Sequence, residues 1–188
     1  MLKNILTIII VSSAIMTKPV HGVETMTSPP AALSLATETL ILKNYLSHTQ
    51  IRDASIQLAA TIKHNQYHGL VAITRGGLGP TLYLSEQLEI KDIRTISISS
   101  YGNDGKQGHF TIIHKPELLN GGKGYLFIDD LVDSGKTLKL IRSLYPKAEF
   151  AVLYAKPKGK DATDFFAVDV PQDEWLVFPW EPDWFTQN

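Results

Sequence analysis

Two adjacent aspartates followed by a hydroxyl- and glycine-rich turn carry the strongest chemical signal in this chain. Asp129 and Asp130 follow the apolar run 125–128, and the segment 134–137 reads Ser-Gly-Lys-Thr. Neighbouring carboxylates repel, so a buried pair needs a divalent cation or sugar hydroxyls to compensate it. Backbone N–H groups and hydroxyls at the start of a helix bind phosphate. The pattern therefore predicts a site for a phosphorylated sugar and a metal ion.

This segment has two other possible interpretations. The segment 134–137 looks like the end of a Walker A loop, but that motif requires a glycine where Asp130 stands. The nucleotide-hydrolase interpretation therefore fails. The acidic pair could also simply begin a surface turn, with Ser134 capping a helix.

A second chemical signal is the run Thr74-Arg75-Gly76-Gly77, directly after an apolar segment. Pyrophosphate is bulky and highly charged, so a loop that binds it needs close backbone approach and strong donors. Glycines and a guanidinium provide these. A structural strand-to-helix loop is the alternative, and we favour the pyrophosphate role.

The elements that must position these residues alternate along the chain. Apolar runs predict strands at 70–73, 93–99, 125–128 and 149–155, and helical periodicity predicts helices at 49–64, 80–88 and 138–145. Such alternation is typical of an α/β fold, a mostly parallel sheet flanked by helices on both faces. The acidic pair then falls at the carboxyl end of a strand, where open α/β sheets bind their ligands.

Composition is that of an ordinary enzyme domain. With 188 residues, 44% of them hydrophobic, the chain is long enough for one core and short for two. A formal net charge of -1 provides no field that would attract nucleic acid, and no nucleic-acid partner is predicted. The absence of cysteine excludes disulfides, thiolate metal sites and cysteine nucleophiles, and it fits a reducing compartment.

The amino-terminal residues 1–41 are predicted to be an extension with a linker, followed by one domain at 42–188. A charged start and the apolar run 5–16 resemble a signal segment, which is too short to span a bilayer comfortably. A targeting segment, a dispensable extension and a non-native start upstream of Met26 all stay open. The predicted location is cytoplasmic, with peripheral attachment to the inner membrane or export as a binding protein as the alternatives.

Several motifs, in one order, carry a family resemblance. The run 127–137 has the pattern of two hydrophobic residues, Asp-Asp, three variable residues, Ser/Thr-Gly, one variable residue and Thr. The other motifs lie at 73–78, 98–101, 154–157, 170–175 and 179–180. Together they resemble the type I purine phosphoribosyltransferases, and within them the bacterial xanthine-guanine enzymes, over about residues 45–180.

The resemblance implies a type I phosphoribosyltransferase fold with a small base-binding hood. It implies purine salvage, in which guanine, xanthine or hypoxanthine reacts with phosphoribosyl pyrophosphate to give the nucleoside 5′-monophosphate and pyrophosphate. The implied cofactor is Mg²⁺, and the implied assembly is a homo-oligomer, dimer or tetramer. A non-catalytic regulator of the same fold that senses phosphoribosyl pyrophosphate is the alternative.

The resemblance also implies the residues that bind phosphoribosyl pyrophosphate. Asp129 and Asp130 would hold the ribose hydroxyls or the hydrated metal, and the Thr74–Arg75 peptide would be cis. A loop at 102–109 would close over the reaction centre, with Gln107 beside Lys106 where the family has an arginine. The full implied set is Arg75, Gly76, Gln107, Asp129, Asp130, Leu131, Val132, Asp133, Ser134, Gly135, Lys136 and Thr137.

For the purine, the resemblance implies contacts from Asp133, Lys156, Trp175 and Leu176. Asp133 would be the catalytic acid-base group, Lys156 would donate to the oxygen at purine position six, and Trp175 would stack on the ring. A surface role for Lys156 and a core role for Trp175 are the structural alternatives. Val177 stands where the family has a glutamate, which leaves the choice of base open.

Overall fold

The computed structural model describes residues 43–62, 67–101 and 109–186. The predicted extension at 1–41 lies outside the described residues. Within them, no helix has the length and apolar character needed to cross a membrane. In chain order the elements are β1 (Lys43–Tyr45), α1 (His48–Thr61), β2 (Gly69–Thr74), α2 (Leu78–Gln87), β3 (Ile93–Tyr101), β4 (His109–His114), β5 (Tyr125–Val132), α3 (Lys136–Leu144), β6 (Glu149–Ala155), β7 (Phe165–Asp169), β8 (Trp175–Val177) and α4 (Pro182–Phe185).

Six strands form the central sheet in the order β4-β3-β2-β5-β6-β7. All neighbours run parallel except β4, which pairs antiparallel with β3 at one edge. The predicted α/β architecture, a mostly parallel sheet flanked by helices, is confirmed.

The core lies on both faces of this sheet because successive strand residues point to opposite sides. In β5, Ile128 packs with Leu58 of α1 and Leu84 of α2 in one buried cluster. Its neighbour Phe127 packs with Ile141 of α3 in the other. A strand buried on both faces carries a continuous apolar run, which explains why the apolar run alone located β5.

Strand β5 continues further than the sequence predicted. The apolar run predicted an end at Ile128, but the strand reaches Val132, because Asp129 pairs with Val152 of β6 and Val132 pairs with Ala155. On its other side, the ladder with β2 stops at the pair Ala72 and Ile128. The acidic pair is therefore held by β6 on one side and faces the loop that follows β2 on the other.

Helix boundaries shift by one to three residues from the predicted ones. Helix α1 was predicted at 49–64 and spans His48–Thr61, with Ser47 and Gln50 forming a reciprocal capping box at its start. Residues 63–66 lie outside the described residues. Helix α2 begins at Leu78 and helix α3 at Lys136, each directly after a glycine that occupies the N-cap position.

A separate two-stranded sheet forms the hood, in which β1 pairs parallel with β8. Contacts outside the ladder hold the two chain ends together. Lys43 Nζ lies 2.7 Å from Asp183 Oδ2, and the Trp184 indole N–H donates to the Leu46 carbonyl at 2.9 Å. Helix α4 thereby anchors the strand that begins the described chain.

Candidate active site

The loop after β2 lies directly against the acidic pair of β5. The Gly77 N–H donates to the Ile73 carbonyl at 2.8 Å, and the Thr74–Arg75 peptide is cis, as expected. A Cβ on Gly76 would collide with the Asp130 carboxylate, and one on Gly77 with the backbone carbonyl of β5. Only glycine allows this approach, so Gly76 brings the loop backbone against the Asp130 carboxylate and Gly77 brings it against β5.

Asp129 and Asp130 are adjacent and partly buried, and the backbone of Leu131 and the side chain of Trp180 lower the pKa of Asp130 without offsetting its burial. The Asp130 backbone N–H donates to Asp129 Oδ1 at 3.0 Å. Burial, together with the charge of Asp130, raises the pKa of Asp129 well above its ordinary value. Burial also raises the pKa of Asp130 to about 6. Both carboxylates resist ionisation in the protein alone, which indicates a site suited to an added cation.

An open cleft of about 450 Å³ lies over this pair. One wall comes from Trp180 and Glu181, near the carboxyl end of the described chain. Trp180 stacks on Phe178 with ring centroids 5.2 Å apart, which fixes the wall. Glu181 is a further acidic group that lines this cleft, and burial raises its pKa. The motif at 179–180 was noticed in the sequence, but its place in this cleft was missed.

No three His, Cys, Asp or Glu side chains converge as a complete metal cage within the described ranges. A cation at Asp129 and Asp130 would therefore take its remaining ligands from water and a bound substrate. That arrangement is usual for Mg²⁺, which keeps several waters and binds through one or two carboxylates together with phosphate oxygens.

The turn between β5 and α3 leads into a helix start with backbone donors, here called the cradle (residues 134–137). Gly135 has a φ of 75°, the left-handed conformation that glycine adopts most readily, and the helix starts at Lys136. No side chain caps this helix, so the N–H groups of its first turn are available to an anion. Ser134 and Lys136 are exposed beside them, and Thr137 is half-buried.

Asp133 is an exposed carboxylate held by two neighbouring side chains. The Gln172 amide donates to Asp133 Oδ1 at 2.6 Å. The Lys156 ammonium lies 3.8 Å from Asp133 Oδ2. Lys156 is buried, with only 7% of its surface exposed, and its backbone N–H donates to the Val132 carbonyl at 2.9 Å. The end of the β5–β6 ladder thus places a buried cation beside the carboxylate.

The hood presents one exposed aromatic side chain, Trp175, three residues after Gln172. Trp175 is 54% exposed, whereas Leu176, Val177 and Phe178 are buried. This exposure argues against a core role for Trp175. Gln172 joins the loop before β8 directly to Asp133, so the hood and β5 are connected by a hydrogen bond. Sequence reasoning did not single out Gln172, although it lies within the motif at 170–175.

The structure does not describe every residue expected at the site. Gln107 and Lys106, expected in the closing loop, lie outside the described residues. The remaining expected positions form two groups. The loop after β2, the acidic pair and the cleft make one, and the cradle, Asp133 and Lys156 make the other. Strand β5 and the turn after it carry residues of both, so one segment of chain presents the acidic pair, an uncapped helix start and a carboxylate beside an ammonium.

Comparisons with known proteins identify relatives of this arrangement. The family described as the phosphoribosyl transferase domain matches residues 40–186. The xanthine-guanine phosphoribosyltransferase of Gluconobacter oxydans is 47% identical over 133 residues, which are 69% of this chain and 79% of that protein. The enzyme of the same name from Cereibacter sphaeroides is 48% identical over 117 residues, covering 61% of this chain and 70% of that protein.

Solved structures give the same picture. A purine phosphoribosyltransferase from Pyrococcus horikoshii superposes with a TM-score of 0.62 at 29% identity, covering 74% of this chain and 94% of that one. The xanthine-guanine-hypoxanthine phosphoribosyltransferase of Helicobacter pylori gives a TM-score of 0.62 at 28% identity, covering 75% and 95%.

Proposed function

Because the chain belongs to the phosphoribosyl transferase domain family, we propose that it transfers the 5-phosphoribosyl group of phosphoribosyl pyrophosphate to N9 of a 6-oxopurine. Guanine, xanthine and hypoxanthine are the candidate bases, and pyrophosphate is the second product. One observation carries this proposal: the Gly76 backbone lies against the Asp130 carboxylate. The loop proposed for pyrophosphate and the carboxylate proposed for the ribose hydroxyls are therefore adjacent. Transfer requires this arrangement, because the bond that breaks joins the ribose to the pyrophosphate.

The leaving pyrophosphate is assigned to the loop after β2. Arg75 lines the cleft over the acidic pair and carries the positive charge that a departing pyrophosphate needs. Gly76 adds backbone approach at the same place. Breaking the bond to the anomeric carbon builds positive charge on the sugar and negative charge on the leaving group. Fixed donors at the loop stabilise this transition state more than the ground state.

Mg²⁺ is the proposed cofactor, held by Asp129 and Asp130 with water and substrate oxygens. The fit follows from the raised pKa of both groups, since burial without a cation disfavours their ionised form. When bound, the ion would neutralise pyrophosphate charge. The two carboxylates would also accept hydrogen bonds from the ribose 2- and 3-hydroxyls and orient the sugar.

The ribose 5-phosphate is assigned to the turn between β5 and α3. The first-turn N–H groups of α3 and the hydroxyls of Ser134 and Thr137 supply donors, and Lys136 supplies a positive charge. The backbone of Leu131 and Val132 leads the strand into this turn, and Gly135 gives it the required conformation.

The purine is assigned to the space beside Asp133 and below the hood. The Lys156 ammonium is buried and its ion pair is long at 3.8 Å, so it keeps donors for an oxygen at purine position six. An amino group there would meet a donor instead of an acceptor, which would reject adenine. Trp175 offers a face for stacking, and Leu176 adds backbone groups at the purine edge.

Asp133 is the proposed acid-base group. Its carboxylate is exposed, and one of its oxygens lies 3.8 Å from the Lys156 ammonium. An ionised carboxylate near purine N7 can accept or stabilise the proton that a base loses as N9 is alkylated. This role makes Asp133 a catalytic residue that touches the base.

A turnover assay tests the proposed function. Purified protein with Mg²⁺ and phosphoribosyl pyrophosphate should convert guanine, xanthine or hypoxanthine to the nucleoside monophosphate, with adenine as the negative control. Competition among the three accepted bases then gives the order of preference. Tight binding of phosphoribosyl pyrophosphate without any transfer would overturn the enzyme assignment in favour of the sensing regulator. Neither bacterial relative named above is described as a regulator.

We also propose a homo-oligomer that acts in the cytoplasm. The described surface exposes large apolar side chains near one sheet edge, including Ile113 of β4. Light scattering after gel filtration measures the assembly, and a monomer at micromolar concentration would contradict it. Cell fractionation with mass spectrometry of the native amino terminus separates a cytoplasmic protein from a membrane-attached or cleaved form.

A further inference from the structure

Gln172 bridges two parts of the site through both ends of its amide. The Lys158 backbone N–H donates to Gln172 Oε1 at 3.0 Å. The Gln172 amide nitrogen donates to Asp133 Oδ1 at 2.6 Å. A backbone N–H can only donate and a carboxylate can only accept, so these two neighbours determine which end of the amide faces which partner. The glutamine is thereby fixed in one orientation.

This contact restrains a carboxylate that would otherwise rotate. The Asp133 side chain is 57% exposed, and Oδ2 has only the long ion pair with Lys156 at 3.8 Å. An exposed aspartate with one distant partner samples several rotamers. The short bond from Gln172 occupies Oδ1, which leaves Oδ2 directed towards the ammonium and the space assigned to the purine. One oxygen is used for orientation and the other for chemistry.

We propose that Gln172 is a positioning residue for phosphoribosyl transfer, acting by orienting the Asp133 carboxylate. The inference rests on the proposed function and adds a residue to it. Gln172 does not touch the reacting atoms. Catalysis depends on groups held close to their productive geometry, and a displacement of about 1 Å can lower turnover by as much as 10²-fold.

A purely structural role is the competing explanation, because Gln172 also accepts the Lys158 N–H and so anchors the loop that follows β6. Two substitutions separate the roles. Gln172→Glu keeps an acceptor for Lys158 but, when ionised, has no donor for Asp133. Gln172→Met removes both contacts at similar size. A loop anchor alone predicts a normal Gln172→Glu enzyme, whereas positioning of Asp133 predicts that both variants are impaired.

The expected result is a fall in kcat of about 10-fold in both variants, with the KM for phosphoribosyl pyrophosphate changed by less than about 2-fold. Gln57→Glu is a matched control, since it makes the same charge change in α1, where the glutamine donates to the Ala167 carbonyl. It should leave kcat unchanged. Melting temperatures of all variants show whether the loss of activity follows a loss of fold.

A double-mutant cycle gives the decisive measurement. In an Asp133→Ala background there is no carboxylate to orient, so adding Gln172→Met should change kcat by less than about 2-fold. A wild-type kcat in Gln172→Glu would overturn the positioning role. So would a Gln172→Met substitution that lowers kcat as much in the Asp133→Ala background as in the wild type. A wild-type protein that transfers no phosphoribosyl group would instead overturn the proposed function, so the two failures are distinguishable.

Discussion

At the scale of single residues, the site contains two kinds of carboxylate. One kind has a cation and a hydrogen-bond donor beside it in the protein, and the other kind has no cation beside it. Asp133 has an ammonium and an amide donor as neighbours. No cation is among the groups that set the pKa of Asp129 and Asp130, and the pKa of both is raised. A carboxylate that is already compensated can work on the substrate directly. An uncompensated pair is suited to bind what the protein lacks, a cation and the hydroxyls of a sugar.

Removing the compensated carboxylate should act on the chemical step. We expect Asp133→Ala to lower kcat by about 10²-fold or more, because acid-base catalysis by a positioned group contributes 10²- to 10⁴-fold. Steady-state kinetics with guanine measure this. The substitution also leaves the buried Lys156 ammonium without this carboxylate, so the melting temperature should fall, and it is measured alongside kcat to confirm that the variant is folded during the assay. Near-normal turnover would remove Asp133 from the acid-base role.

Substitution of the exposed tryptophan should act on base binding instead. Trp175→Ala is expected to raise the KM for the purine about 10-fold with a smaller change in kcat, since stacking on an aromatic ring contributes about 1–3 kcal/mol per base. Trp175 is 54% exposed, so the fold should tolerate the change. Trp175→Phe keeps a stacking face and serves as the control. An unchanged purine KM in the alanine variant would exclude stacking.

At the scale of elements, the hood depends on contacts between the two ends of the described chain. Strands β1 and β8 have three residues each, too few to hold a sheet by ladder hydrogen bonds alone. The Trp184 indole and Lys43 add contacts from α4 to β1 and the residue after it. The position of the proposed base-binding face on β8 therefore depends on contacts that α4 makes with β1, at the other end of the described chain.

Loosening this contact should weaken base binding without removing catalytic groups. Trp184→Phe keeps the ring but removes the N–H that meets the buried Leu46 carbonyl, and a lost hydrogen bond of this kind costs about 1 kcal/mol. We expect a higher purine KM, a melting temperature lower by a few degrees and little change in kcat. Lys43→Ala is the control, because an exposed ion pair contributes less. Equal effects of both substitutions would contradict this ranking.

The elements also show where sequence reasoning succeeded. Strands β2, β3, β5 and β6 were predicted because each is buried on both faces or bounded by turn residues. Strands β1, β4, β7 and β8 were missed. Two of them have only three residues, which is too short for any periodicity, and each is defined by pairing with a distant strand. The acidic pair and the cradle were predicted because both lie on one continuous segment. Gln172 was missed because its role depends on a contact 39 positions away.

At the scale of the whole molecule, the acidic pair lowers the stability of the free protein at neutral pH. The pKa of Asp130 is about 6 in the folded chain, above its ordinary value of 3.8. Between these values the folded state binds more protons than the unfolded state, so stability rises as pH falls through this window. Above about pH 6 the ionised group costs free energy in full. A ligand that binds the ionised carboxylates would remove this free-energy cost, so a binding site can retain such a destabilising group.

Asp130→Asn removes the charge at nearly constant size, so it should raise the melting temperature of the protein in chelator at pH 8. The gain should shrink as the pH falls from 6 towards 4, because the wild-type group becomes neutral there. Adding Mg²⁺ with phosphoribosyl pyrophosphate should stabilise the wild type by mass action and the variant much less. Thermal unfolding across pH, with and without ligand, measures all three. A variant less stable than the wild type at pH 8 in chelator would show that the carboxylate contributes to the fold and not to the ligand site alone.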